Sequence, residues 1–273
     1  MSKFFYGAYA LDGNSNKPGE PNCRHTHSNV AIKVANDHVV AIMHSRNIPI
    51  NLYRVDHEET STENSLTKNF VFKRVNNSIY PKTMSQKNFY KDITLLGQHF
   101  TVVSMGNKEF TPYQVKFRTV RRHYTIANCM RKQFYTELCA SIKAAAEGSQ
   151  PNFKSSLLED TATDEINMTI KNYNLEKGLS KLMFEPFRKD DAYEIKGPMG
   201  RGLGLTKNSK GTYIAFSAGT GVLVYIDLVA RLALQVLNLL PTEDQMSSDF
   251  KLILYASFQS RNDGMCLELM EGL

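Results

Sequence analysis

The chain has few cysteines and no closely spaced pair of them. Its 273 residues contain four, Cys23, Cys129, Cys139 and Cys266, and none forms a C-x-x-C motif. A disulfide framework and a four-thiolate metal site both need clustered cysteines. Neither is therefore expected, and the spacing favours a reducing compartment.

Only one segment gathers possible metal ligands. Cys23, His25 and His27 lie close together, but they follow Pro18 and Gly19 in a turn-rich stretch and have no partner cluster downstream. A short motif of this kind is more often a polar loop than a site. No metal site is predicted.

The N-terminus lacks the features of a targeting segment. Met1–Tyr9 is aromatic, with no charged leader before a long apolar core and no Arg-rich amphipathic presequence. No secretory signal is therefore expected. The expected location is intracellular, with mitochondrion and cytoplasm both left open.

The chain also lacks a basic tail, although its formal charge is +6 and its pI about 9.0. The lysines and arginines are scattered, and the densest cluster, Lys116–Arg122, lies on an alternating strand pattern. No nucleic-acid partner is expected. A phosphate-bearing small ligand or an acidic protein partner fits this surplus at least as well.

One stretch, Thr212–Leu240, approaches the apolar length of a membrane span. Asp227, Arg231, Gln235 and Asn238 interrupt it, and a charge at mid-span costs about 2.5 to 3.5 kcal/mol. Their spacing places them on one helical face, with Asp227 four residues before Arg231 and so placed to pair with it. The prediction is a helix packed on a sheet, with no transmembrane segment.

Three regions are predicted. Residues 1–62 are a turn-rich extension without an assigned role, in which Val30–Met43 reads as a strand pair broken at Ala35–Asp37. Residues 63–205 alternate short apolar segments with turns, which is typical of an antiparallel barrel. The strands expected in this region are Phe70–Phe72, His99–Val103, Tyr113–Val120, Ile166–Ile170 and Tyr193–Ile195.

A helical insertion at about 130–162 is expected to interrupt the barrel, because apolar residues recur there at helical spacing. Residues 206–273 then predict a β-α-β unit, whose order implies parallel strands. Its elements are strand Tyr213–Phe216, helix Val222–Leu239 and strand Lys251–Tyr255.

The tetrapeptide Arg122-His123-Tyr124-Thr125 ends the alternating strand and combines a cation, an aromatic ring and a short hydroxyl. Strand alternation puts Arg122 and Tyr124 on one face and turns Thr125 away from them. A fixed cation suits a phosphate group. Taken alone, the tetrapeptide more often indicates a surface arginine and a half-buried tyrosine on an ordinary strand.

Other short motifs accompany this tetrapeptide. The segment from Lys177 opens a predicted helix with Ser180 near its first turn, where free backbone N–H groups bind anions. Ser217–Gly221 lies between a predicted strand and a predicted helix, where glycine lets a phosphate approach. In chain order the motifs are Gly97-Gln98-His99-Phe100, Ile170-Lys171-Asn172-Tyr173, Lys177-Gly178-Leu179-Ser180, Gly197-Pro198-Met199-Gly200 and Ser217-Ala218-Gly219-Thr220-Gly221.

Together these motifs resemble the ferredoxin reductase superfamily, closest to its cytochrome b5 reductase branch. The resemblance implies a six-stranded antiparallel barrel that binds FAD, followed by a parallel α/β lobe that binds NAD(P)H. It assigns phosphate binding to Arg122, the flavin side to Tyr124, and a hydrogen bond to the ring at the catalytic position to Thr125. The remaining cofactor-binding residues that it implies are Lys171, Tyr173, Gly178, Leu179 and Ser180 for FAD and Gly219, Thr220 and Gly221 for the nicotinamide nucleotide.

The second lobe departs from the family pattern. Ala218 replaces a glycine, and Val222-Leu223-Val224 stands where the family carries a hydroxyl residue and a proline. These substitutions remove a hydroxyl from the region where the resemblance places the flavin and the nicotinamide. Two strands are visible where about five are typical. Either the chain is a piece of a longer polypeptide, or it is a shortened relative with an incomplete lobe. In both cases something should cover Lys251–Tyr255.

The function expected from this resemblance is an FAD-dependent oxidoreductase of cytochrome b5 reductase type. Electrons would pass from NAD(P)H through the flavin to a one-electron acceptor protein that carries haem or an iron-sulfur cluster. The alternative is a flavin-binding but catalytically impaired, or flavin-free, structural subunit of a larger assembly that covers the open sheet edge.

Overall fold

The structure is a computed structural model. It describes residues 29–34, 39–44, 52–57, 66–74, 92–104, 110–111, 114–115, 121–158, 165–173, 178–184, 192–261 and 264–272. The segment Cys23–His27 lies outside these ranges. The strands are β1 (Asn29–Val34), β2 (Val39–His44), β3 (Leu52–His57), β4 (Thr67–Arg74), β5 (His99–Ser104), β6 (Phe110–Thr111), β7 (Gln114–Val115), β8 (Arg121–Thr125), β9 (Glu165–Lys171), β10 (Ala192–Met199), β11 (Gly211–Ala218) and β12 (Phe250–Ser257). The helices are α1 (Lys132–Ala146), α2 (Leu179–Phe184), α3 (Leu223–Val236) and α4 (Leu267–Glu271).

The first sheet has six strands in the order β8-β5-β10-β3-β4-β9, and every neighbouring pair is antiparallel. Alternate side chains of these strands form a core in which Phe70, Phe72 and Ile195 have no exposed surface. No ladder joins β8 to β9 within the described ranges, so closure into a barrel remains a prediction. The two outermost strands, β8 and β9, carry four of the predicted site residues, Arg122, Tyr124, Thr125 and Lys171.

Strand β3 belongs to this sheet although it precedes residue 63, where the barrel was predicted to begin. It pairs with β4 on one side and β10 on the other, and Val55 is buried. Its sequence, Leu-Tyr-Arg-Val-Asp-His, is half charged or polar. Such a short mixed strand gives a weak alternation signal and is recognisable only from its partners.

The strand predicted at Tyr113–Val120 is placed differently. Gln114–Val115 pairs with Phe110–Thr111 in a separate two-stranded unit, and the tetrapeptide lies on its own strand, β8. Residues 116–120 are outside the described ranges. The strand pair predicted within Val30–Met43 is confirmed as the antiparallel pair β1-β2.

Helix α1 confirms the helix predicted within the segment at about 130–162. Phe134, Leu138 and Ile142 recur every four residues and are buried, as an amphipathic helix requires. They belong to the same apolar core as Leu223 and Ile226 of helix α3. The insertion therefore packs on the second lobe rather than within the first sheet.

The second lobe is the predicted β-α-β unit. Strands β11 and β12 are parallel, in register from Gly211 opposite Phe250 to Ala218 opposite Ser257. Leu252 and Leu254 pack into the core that contains helix α3, whereas the opposite face of the sheet exposes large apolar side chains. These are Ile214, Phe216, Ile253 and Tyr255, called the open face below.

Helix α3 carries the polar stripe that the sequence predicted, but Asp227 and Arg231 do not form the predicted ion pair with each other. Asp227 accepts hydrogen bonds from the backbone N–H groups of Asn128 and Cys129. Arg231 donates to the carbonyl of Asp244. Both side chains are buried. Each makes its hydrogen bonds to a different segment of the chain rather than to the other side chain on the helix.

The stretch Gly219–Val236 is long and apolar enough to cross a membrane by length and composition alone, and 56% of it is buried inside the protein. Its charged residues, Asp227 and Arg231, are hydrogen-bonded to other parts of the fold. This burial is what a core helix shows.

Candidate functional site

A cleft of about 270 Å³ opens where the ends of β8 and β9 approach helix α2 and the start of the second lobe. All but two of the predicted cofactor residues line it. Gly219 and Gly221 do not, although Thr220 between them does. The lining residues are Arg122, His123, Tyr124, Thr125, Thr169, Ile170, Lys171, Tyr173, Gly178, Leu179, Ser180, Thr220 and Leu223.

The charge of this lining favours an anionic ligand. It includes the cations Arg122 and Lys171 and a series of hydroxyl groups, and it contains no carboxylate among the lining residues that the structure describes. Cations and hydroxyls are the usual side-chain ligands of phosphate. The volume lies just below the range of about 300 to 1,000 Å³ typical of ligand clefts, so it suits part of a dinucleotide better than the whole.

Strand β8 supplies the first wall. It pairs with β5, Thr125 lying opposite His99 and His123 opposite Thr101. Arg122 is exposed, and its Nη1 donates to the Arg121 carbonyl at 2.8 Å. This bond turns the guanidinium along the strand, while the remaining N–H groups stay within reach of a ligand.

Tyr124 stands on the same strand and packs against the core of the first sheet. Burial raises the pKa of its phenol well above the ordinary value, and Arg122 acts in the opposite direction. The phenol is therefore neutral at physiological pH, so it presents an uncharged ring and a hydroxyl to the cleft.

Strand β9 and helix α2 form the second wall. Thr169 is buried, Lys171 is partly exposed, and both line the cleft, as does Ile170 between them at the end of the strand. Ser180, the second residue of α2, is 8% exposed and also faces the cleft. The predicted helix beginning after Gly178 is thus confirmed as a short one.

The second lobe supplies the third wall through the turn Gly219–Val222 and the start of α3. Tyr173 Oη lies 2.9 Å from Thr220 Oγ1, so one hydrogen bond spans the boundary between the lobes. Gly219 has a φ of +50°, and a Cβ placed on it would meet no atom within 4 Å. Its backbone conformation, not crowding, favours glycine there, and the turn faces open space.

Sequence reasoning gave no role to four of the lining residues, Thr169, Ile170, His123 and Leu223. Thr169 was detectable from its spacing of two from Lys171 along β9. His123 is held by a 2.9 Å hydrogen bond between its Nδ1 and Thr101 Oγ1, and its ring packs edge-on against His99. That arrangement depends on the pairing of two strands, which no local pattern reveals.

Comparison with known proteins gives structural matches alone. No family model matches the chain, and no curated protein does. Similar solved structures include a flavohemoglobin from Malassezia yamatoensis with bound FAD and heme, at 14% identity and a TM-score of 0.47, over 83% of this chain and 43% of that one. A ferredoxin-NADP+ reductase from Plasmodium falciparum matches at 16% identity and 0.43, over 82% of this chain and 67% of that one.

A third similar structure contains the CS-b5R domains of human Ncb5or in the NAD+ form, at 12% identity and a TM-score of 0.44. It covers 94% of this chain, which spans 54% of the human chain.

Proposed function

We propose that the cleft binds the flavin and pyrophosphate of FAD, and that the protein is a flavin-dependent oxidoreductase of cytochrome b5 reductase type. The observation that supports this proposal is that residues from motifs far apart in the sequence lie together in space. Residues chosen from separate motifs between Arg122 and Thr220 line one cleft. Short motifs that matched by chance would be scattered over the fold.

The side chains that line the cleft have the chemistry that FAD binding requires. Arg122 and Lys171 offer positive charge for the pyrophosphate, and the Ser180 hydroxyl adds a donor. Tyr124 offers a neutral ring to the flavin, and Thr125 offers a hydroxyl. When bound, FAD supplies the two-electron and one-electron chemistry that no side chain can perform.

Each wall has its own task. Strand β8 orients the flavin with Tyr124 and Thr125, while β9 and α2 hold the phosphates with Lys171 and Ser180. The hydrogen bond between Tyr173 and Thr220 links the second lobe to the end of β9 at the mouth of the cleft. The donor in this proposal is NAD(P)H and the acceptor is a one-electron haem or iron-sulfur protein.

One observation favours the structural-subunit alternative. The open face exposes 74% of Phe216 and 56% of Tyr255, stacked on each other at 5.1 Å. Parallel sheets are normally covered on both faces. In addition, Val222 is buried in the core and Leu223 lines the cleft with apolar surface, so neither offers a nicotinamide the hydroxyl expected there.

Reduction by a nicotinamide nucleotide separates the two functions. The purified protein is incubated with FAD, freed of excess cofactor, scanned for the flavin absorbance bands, and then mixed anaerobically with NADH or NADPH. Retained flavin that bleaches supports the reductase, and retained flavin that does not bleach selects the structural subunit. Absence of retained flavin rejects the flavin site and the reductase, and selects the flavin-free form of the structural subunit.

A further inference from the structure

A series of buried and partly buried hydrogen bonds connects the walls of the cleft and begins at Asp227. This residue of α3 is 2% exposed, and its two carboxylate oxygens accept from the backbone N–H groups of Asn128 at 3.0 Å and Cys129 at 2.9 Å. Both donors belong to a 3₁₀ turn, Asn128–Met130, whose N-cap residue Ala127 provides no side-chain acceptor. The first N–H groups of a helical turn have no partner inside it. Asp227 therefore caps this turn from the other lobe.

The same turn is held on its other side by Asn69 of strand β4. Asn69 Nδ2 donates to the Met130 carbonyl at 3.0 Å, and its Oδ1 accepts the Thr169 hydroxyl at 2.7 Å. The amide is thus fixed in both directions. Since Thr169 lines the cleft, the series links helix α3 to strand β9 through the turn.

Each end of this series lies directly behind a cleft wall. Asp227 stands four residues after Leu223, one turn along the same helix, and Leu223 lines the cleft. The turn begins three residues after Thr125, and the Ile126 N–H between them donates to the Gln98 carbonyl at 3.0 Å. A shift of the turn would therefore move Thr125 relative to both other walls.

We propose that Asp227 and Asn69 are positioning residues that hold the three walls of the cleft in register for FAD. This inference rests on the proposed function. Neither residue lines the cleft; both act through the backbone of the turn. A buried carboxylate is unfavourable unless it is hydrogen-bonded, and an apolar residue would fill the position without that cost. The carboxylate contributes two hydrogen bonds that fix the position of the turn Asn128–Met130.

Three variants separate positioning from general stability. Asp227→Asn keeps the shape but replaces one acceptor oxygen by an amino group that faces an N–H donor. Asn69→Ala breaks the series from the first lobe. The matched control is Gln235→Ala, which also removes two hydrogen bonds between α3 and a backbone, both to Met246, but two turns farther from the cleft.

Two measurements are compared in all variants. In the first, FAD affinity is measured by titration; Asp227→Asn and Asn69→Ala are expected to weaken it about tenfold or more, against about twofold for Gln235→Ala. In the second, hydrogen exchange of the 126–131 amides is followed without FAD. It should accelerate in Asp227→Asn and not in Gln235→Ala.

A pH profile adds a readout that a purely structural contact would not move. Burial raises the pKa of Asp227 to about 6, while the N–H groups of Cys129 and Asn128 and the charge of Arg131 act the other way. The ionisable groups that face it are Cys129 and Arg131 from the turn and Cys266 from the last segment. FAD affinity of the unaltered protein should fall as Asp227 is protonated, and Asp227→Asn should lack this step.

The possible failures are distinguishable. If Gln235→Ala weakens FAD binding as much as Asp227→Asn does, the series only stabilises the fold and the inference is rejected. If the unaltered protein binds no FAD, the proposed function fails, and unchanged exchange of the 126–131 amides in Asp227→Asn would reject the inference separately. If Asp227→Asn does not fold, Asn69→Ala decides, because it leaves α3 untouched.

Discussion

The buried carboxylate of Asp227 makes a quantitative prediction about stability and pH. Its pKa is raised by burial from 3.8 to about 6 in the folded protein. Each pKa unit corresponds to about 1.4 kcal/mol, so the difference of about two units is worth about 3 kcal/mol. That is a large fraction of the 5 to 15 kcal/mol that stabilises a typical domain.

The sign follows from which state binds the proton more tightly. Between about pH 4 and 6 the folded state holds a proton on Asp227 that the unfolded state has released. This contribution is therefore complete below pH 4, declines as the pH rises towards 6, and is absent above it. Asp227→Asn has no such proton, so its free energy of unfolding lacks this component.

The assay is urea unfolding of the unaltered protein and of Asp227→Asn at pH 4, 5, 6 and 7, with linear extrapolation to water. The stability difference between them should move by about 2.4 kcal/mol in favour of the unaltered protein from pH 7 to pH 4, because at pH 4 part of the unfolded state is protonated as well. Asp249→Asn, which changes an exposed carboxylate, serves as the control and should preserve the original pH dependence. A difference that stays constant, or moves the other way, would refute the reasoning.

Two further predictions concern other parts of the fold. Gly202 and Gly204 have similar positive φ values, +61° and +66°, but a Cβ on Gly202 would lie 2.5 Å from the Leu96 carbonyl oxygen, whereas one on Gly204 meets no atom within 4 Å. Urea unfolding should show Gly202→Ala to be destabilised by about 2 kcal/mol more than Gly204→Ala; equal losses would contradict this. Phe216→Ser should change the free energy of unfolding by less than about 1 kcal/mol, because the ring is 74% exposed, yet reduce self-association in sedimentation. Unchanged sedimentation would show that the open face does not mediate self-association.

The elements that could be predicted from sequence are those whose signal is local. Phe134, Leu138 and Ile142 define helix α1 by spacing alone, and the order strand, helix, strand is enough to imply the parallel pair β11 and β12. The candidate site was predictable for a similar reason. Its residues stand in short motifs at the ends of such elements, and the fold brings those ends together.

What could not be predicted depends on contacts between distant segments. Strand β3 is identified by its neighbours in the sheet rather than by its own mixed sequence. The spacing of Asp227 and Arg231 identified their helical face, but not that each would be buried against a different loop. Helical periodicity gives the direction of a side chain, whereas its partner is set by tertiary packing.

The most direct test of the account is the affinity of Arg122→Ala for FAD compared with that of Arg121→Ala. The two arginines are neighbours on β8 and both are exposed, but only Arg122 lines the cleft. Loss of a charge-assisted bond to phosphate is expected to weaken binding about tenfold to a hundredfold in Arg122→Ala. Arg121→Ala should bind FAD nearly as tightly as the unaltered protein. Equal affinities in the two variants, or no FAD binding by the unaltered protein, would contradict a flavin site in this cleft.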